Sequence, residues 1–150
     1  MLTLNGKALY GSQDINTGVF LKLTNGSMSD STFSKDNIGH STLGASIILG
    51  SDGREPTVND SHIYGEWSSD VLSKISETRS YVTSYDQNYM LMVQATFKNN
   101  SLENSIEVKE IGLVVGDKNG YYRYLISRDV LDSPIIIRPQ ATQSFTVTIG

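Results

Sequence analysis

The chain has 150 residues, enough for one domain that buries roughly 70% of the surface its unfolded form exposes. It carries 12 basic against 16 acidic residues, a net charge of −4, and no Lys/Arg run that could neutralise a phosphate backbone, so no direct nucleic-acid partner is expected. Cysteine is absent, which removes disulfides, thiolate nucleophiles and thiolate zinc sites together.

The same lack of cysteine fits folding in a reducing cytosol. No run approaches ~18 consecutive apolar residues, so no membrane span is expected. The opening MLTLNGKALYG lacks the basic and apolar regions of a signal peptide. The expectation is a chain that stays in the cell that makes it, or leaves by lysis. Abundant Ser, Thr and Asn, 13 glycines and few strong helix formers point to an all-β domain.

In chain order, TGVFLKL (17–23) reads as a strand closed by the turn pair Asn25-Gly26. A polar stretch from Ser27 to Thr42 has no periodicity and reads as a long loop, within an N-terminal loop region of about 24–44. Such a segment frays unless something holds it, so order imposed by neighbouring chains is expected there. ASIILG (45–50) reads as a short buried strand, and SDGREPTVND as a turn-rich loop. WSSDVLSKISETRS (67–80) is the one helix candidate, with Ser68 or Ser69 as cap and Val71, Leu72 and Ile75 as its apolar face.

From Tyr81 the β pattern dominates. In YMLMVQATFK, residues Tyr89, Leu91, Val93, Ala95 and Phe97 share one face, and Gln94, Thr96 and Lys98 the other. Asn99-Asn100 ends this strand. In SIEVKEIGLVVG the apolar phase slips from even positions (Ile106, Val108) to odd ones (Ile111, Leu113, Val115), which calls for a bulge or bend near Lys109-Glu110, with Gly112 beside it. GDKNG then reads as a hairpin turn. YYRYLIS returns, in a register that sets Leu113 near Tyr122–Tyr124 and Glu110 level with Ser127–Arg128. Pro134 and Pro139 bracket an edge strand or corner. SFTVTI closes the pattern with Phe145, Val147 and Ile149 inward. The expected fold is a single-domain antiparallel β-sandwich, jelly-roll or Ig-like, spanning residues 1–150 with at most one short helix.

Chemistry is sparse in the sequence. His40 and His62 stand alone, without ligand spacing. No nucleophile elbow, calcium loop or phosphate loop is present, so no catalytic residue, metal or cofactor is expected. Glu110 and Arg128 form an expected ion pair that pins the bend, structural in role. Trp67, Tyr85, Tyr121 and Tyr122 are candidate interaction aromatics.

Four segments succeed one another in order: LGSDGREPTVNDSHIYGE, KEIGLVVG, SRDVLDSPIII and QSFTVTIG. From about Leu49 to Gly150 this arrangement resembles small structural proteins of tailed bacteriophages. Their pattern runs from a Gly-rich loop through P-T-x-x-D, a hydrophobic residue and a carboxylate, to E-I-G-L, R-x-x-L, a Pro with aliphatics and a closing amphipathic strand. This chain departs from it at Asp52, where a glycine is usual, and at Ile63, where leucine is usual. The first 45 residues lie outside the resemblance. Such proteins occur in heads, baseplates and tail fibres. The resemblance implies a virion part assembled in the host cytoplasm. The first expectation is an auxiliary or decoration protein on the capsid, oligomeric and partnered by the major capsid protein. The alternative is a tail-fibre or baseplate component with a glycan-binding role. A hydrolase is the least favoured reading.

Overall fold

The computed structural model describes residues 1–10, 45–83, 89–116 and 123–149. A helix α1 (Leu4–Tyr10) precedes six strands: β1 (Ser46–Gly50), β2 (Leu72–Thr83), β3 (Tyr89–Asn99), β4 (Ile106–Gly116), β5 (Arg123–Ile137) and β6 (Thr142–Ile149). They form two antiparallel three-stranded sheets, ordered β1-β4-β5 and β2-β3-β6. The protein is an all-β sandwich with one short helix. The segment 17–23, the loop region 24–44 and residues 117–120 of the GDKNG turn lie outside the described residues.

Period-two alternation builds the core. Leu91, Val93, Ala95 and Phe97 of β3 and Phe145 and Val147 of β6 are buried, while Gln94 and Thr146 between them are not. They meet Ile47 and Leu49 of β1, Leu113 and Val115 of β4, and Tyr124 and Ile126 of β5. Phe97 and Phe145 pack edge to face, with ring centroids 6.0 Å apart at 81°. The first sheet also buries its opposite face. There Ile63, Val114 and Leu125 form a second small cluster with Ile48 beneath the loop after β1.

The phase slip in β4 is present. Ile106 and Val108 face the main core, then Leu113 and Val115 do. The ladder to β5 breaks its register between Val108 and Glu110. Val108 pairs with Ile135 and Glu110 with Val130, so the extra residues sit in β5, around Leu131–Pro134, rather than in β4. A second shift between Leu113 and Val114 sets one more extra residue, Ile126, in β5. Leu125 and Arg128, three apart, can therefore both serve the loop-covered face.

Two expectations need correction. The expected register, with Leu113 near Tyr122–Tyr124, is displaced: Leu113 pairs with Ser127, Arg128 with Gly112 and Glu110 with Val130. Gly116 opposite Arg123 fixes this end of the ladder, and the extra residue Ile126 carries Leu113 on to Ser127. The expected helix after Trp67 is a strand from Leu72 onwards. Ser68 does cap a turn, its Oγ accepting from Asp70 N and its carbonyl from Val71 N and Leu72 N. That turn stops at Leu72. The residues beyond are rich in Ser, Thr and β-branched types, poor helix formers that pair well with β3. Ile75, assigned to an apolar helix face, is exposed.

The helix that does form, α1, starts at Thr3, whose Oγ1 accepts from Gly6 N. Its approach adds chain to the sheet: Leu2 bridges Ser127, and Thr3 N donates to Ile126 O.

Candidate functional site

Residues 51–66 carry no regular strand or helix, yet this loop is pinned to the first sheet by a charged cluster. Arg128 is its hub, fully buried on β5. Its Nε donates to Glu110 Oε2 at 2.9 Å, and its Nη1 to Asp60 Oδ2 at 3.2 Å and to the Arg54 carbonyl at 3.0 Å. Nη2 lies 3.9 Å from Asp52 Oδ1.

Glu110 is fully buried on β4, diagonal to Arg128 across the ladder. The phase slip turns it out of the main core and under the loop. There its carboxylate accepts three backbone N–H groups, from Gly65 at 2.6 Å, Tyr64 at 3.2 Å and Asp52 at 3.3 Å. A loop without regular structure must satisfy its amides somewhere, and this side chain does so from below. Gly50 explains the close fit: a Cβ there would run into Glu110 Oε1.

Asp60 completes the frame. Thr57 N donates to its Oδ2 at 3.0 Å, and Thr57 Oγ1 to its Oδ1 at 3.1 Å. The i,i+3 spacing of Thr57 and Asp60 closes a turn on itself, with Asp60 N donating back to Thr57 O at 3.1 Å. With Arg128 Nη1 the third donor to the same carboxylate, Tyr64 Oη adds a fourth, at 2.9 Å. Burial pushes the Asp60 carboxyl up, but these hydrogen bonds and Arg128 outweigh it and hold it below the usual range. The same bond to Asp60 pushes the Tyr64 hydroxyl up.

Nearer the surface, Arg54 grips Asp52 through Nε at 2.9 Å and Nη2 at 2.8 Å, a bidentate fork. Arg54's side-chain hydrogen bonds, with its backbone N–H, hold the Asp52 carboxyl at about 2. The Arg54 guanidinium lies 3.9 Å over the Tyr64 ring, and that of Arg128 lies 4.9 Å from it. Two guanidiniums thus face three carboxylates in one cluster.

Glu110 and Arg128, expected as an ion pair, are brought together, though in another register. Asp52, Arg54, Asp60 and Tyr64 are partners that sequence reasoning missed. The available signal was the Thr57–Asp60 spacing: an acidic turn needs a cation when buried, and Arg128 closely follows the apolar run Tyr124–Ile126.

The expected interaction aromatics are not gathered at one place. Tyr85, Tyr121 and Tyr122 lie outside the described residues. Trp67 is half-buried, its Nε1 donating to Glu107 O at 3.0 Å. A groove of about 600 Å³ lies on one side of it, lined by Leu49, Glu66, Ser68, Lys74 and Arg123 among others. One of about 500 Å³ lies on the other, beside Asn100 and Asn104. Arg123 holds Glu66 through both guanidinium ends, at 2.6 and 3.1 Å. His62 is tilted against Tyr64, with ring centroids 4.7 Å apart, and His40 lies outside the described residues. Among the described residues no group of His, Cys, Asp or Glu side chains is placed to hold a metal ion.

No family model, no curated protein and no solved structure matches the chain.

Proposed function

We propose that this chain is a structural protein of a tailed-bacteriophage virion, an auxiliary or decoration protein on the capsid that acts through protein–protein contacts. One observation carries the reading. Residues that make the sequence resemble such proteins (Thr57 and Asp60 of P-T-x-x-D, Glu110 of E-I-G-L, Arg128 of R-x-x-L) meet at one clasp around the buried Arg128, and Gly112 of E-I-G-L lies under Ile63 of the clasped loop. The clasp fixes a loop on the sheet, so the resemblance lies in the frame. Function then falls to the surface that the frame presents. Other copies of the chain and the major capsid protein are its partners in this reading, and the virion assembled in the host cytoplasm is its place.

Antibody labelling of purified virions tests it. Label on the heads is the expected outcome, and virions that carry none of the protein would end the proposal. A second reading, a tail-fibre or baseplate component that binds glycans, draws on Trp67 and its grooves, where an indole stands beside Glu66, Arg123 and Ser68. Rings with planar polar neighbours suit sugar faces and hydroxyls. Tail labelling together with binding on a glycan array would favour it over the first.

A further inference from the structure

An exposed sheet edge is a row of unpaired backbone donors and acceptors, and a protein that stays monomeric blunts it. Among the described residues, three of the four sheet edges are blunted. β1 is flanked by the Gly50–Glu66 bridge. Glu77 Oε2 accepts from Ile47 N at 3.0 Å, and Arg79 Nε donates to Ala45 O. β5 is covered over Ile126–Arg128 by residues 1–3, and carries Pro134 and a bulge. β2 holds Lys74, Glu77 and Arg79, and its register shifts between Lys74 and Ser76.

β6 has none of these devices. Its eight residues, TQSFTVTI, include no charge and no proline, and its ladder with β3 runs unbroken from Leu91↔Ile149 to Lys98↔Thr142. Among the described residues nothing pairs with its outer side. On the exposed face beside it two rows across the sheet are uncharged, Ser76, Thr96 and Ser144 and then Thr78, Gln94 and Thr146, and the one charge next to β6 is Lys98, at the end opposite Thr142.

We propose that the outer edge of β6 pairs antiparallel with β6 of a second copy of this chain. Each chain has a net charge of −4, so two copies repel except where their surfaces are neutral, and β6 is such a place. A two-fold axis sets the strand against itself. Because it carries no charge, no like charges are opposed, and Ser and Thr hydroxyls meet across the dyad in favourable cross-strand pairs. The two three-stranded sheets become one of six strands, and the Phe145–Val147 row continues from one copy into the next. Such pairing deepens the assembly reading. Mass in solution tests it and virion labelling tests that reading, so each can fail alone.

Sedimentation equilibrium of the full chain across micromolar concentrations should show a dimer. Thr146→Lys with Thr148→Lys places like charges along the dyad on two exposed positions and should raise the dissociation constant at least ~10-fold. Thr78→Lys on β2 should leave it unchanged. Since the chain has no cysteine, single Ser144→Cys, Thr146→Cys and Thr148→Cys variants give a second measurement. At least one should form a disulfide dimer faster than Thr78→Cys does. A monomer at every concentration, or no crosslinking above the Thr78→Cys control, would overturn the proposal and leave the edge for a strand of another protein.

Discussion

Ile63 rests on Gly112. A methyl group added at Gly112 would stand 2.7 Å from Ile63 Cγ2, with Ile48 and Leu125 at 3.0 and 3.1 Å. The loop can lie flat on the sheet because β4 has no side chain there. Gly112→Ala should therefore cost ~1–3 kcal/mol through overpacking, as buried Ile63 has no room to retreat. Ile63→Ala alone should cost ~2–5 kcal/mol by leaving a cavity. Denaturant unfolding of the double variant checks the contact: it should lose less than the sum of the two singles, because the new methyl partly fills the space.

Removing one partner of the buried pair leaves the other charge without compensation. Glu110→Gln and Arg128→Met should each cost ~3–5 kcal/mol, against less than the sum for the double variant. The charge-swapped pair, Glu110→Arg with Arg128→Glu, should not restore stability. The N–H groups of Asp52, Tyr64 and Gly65 all point at position 110 and need an acceptor there. A swapped protein as stable as the parent would show that the ion pair alone matters.

Acid should loosen the clasp in a defined window. The folded carboxyl of Asp52 lies at about 2, below its usual 3.8, and that of Asp60 is also held low. A carboxylate whose folded pKa is depressed contributes its full stability above the unfolded value and loses it as pH falls through the folded one. The melting temperature should thus hold level down to pH ~5, then fall from about 4 towards about 2. Asp60→Asn should start lower at neutral pH and fall less steeply. Parallel curves for the variant and the parent would count against Asp60 as a contributor.

Phe145 joins β6 to the core by its edge-to-face contact with Phe97. Phe145→Ala should cost ~3–5 kcal/mol, read as a lower denaturant midpoint with little change in slope.

The strands β3 and β6 are legible in the sequence because one face of each is buried and the other wet, so alternation carries the whole signal. The slip near Glu110 is legible for the same reason, since apolar residues change parity around a charge. The register across β5 is not. Pro134 marks an irregularity near Leu131–Pro134 but not its size, and the extra residue Ile126 leaves no trace in a stretch whose side chains are buried on both faces. Ser68 signals a helix start, and it does cap a turn, but pairing with β3 makes a strand of the residues after it. α1 is hidden for the opposite reason: Asn5 and Gly6 are poor helix formers, and contact with β5 holds the turn. The other partners of Arg128, Asp52, Arg54 and Asp60, come from a loop distant in sequence, and a local pattern such as the Thr57–Asp60 spacing does not say which cation they meet.

The hydrogen bond from Thr3 Oγ1 to Leu125 O, at 2.6 Å, spans 122 residues. β1 likewise waits for β4, with Ser46 opposite Val114, and the clasp joins Asp60 to Arg128. On a ribosome, the first sheet cannot close until residues near Arg128 have left the exit tunnel. Before β4 emerges, only the β2–β3 hairpin has its partner at hand. Contacts of such range make for slow folding, on the scale of milliseconds to seconds. Over that interval β6, which follows the other five described strands in the chain and carries no charge, is also the segment most exposed to pairing with the wrong neighbour.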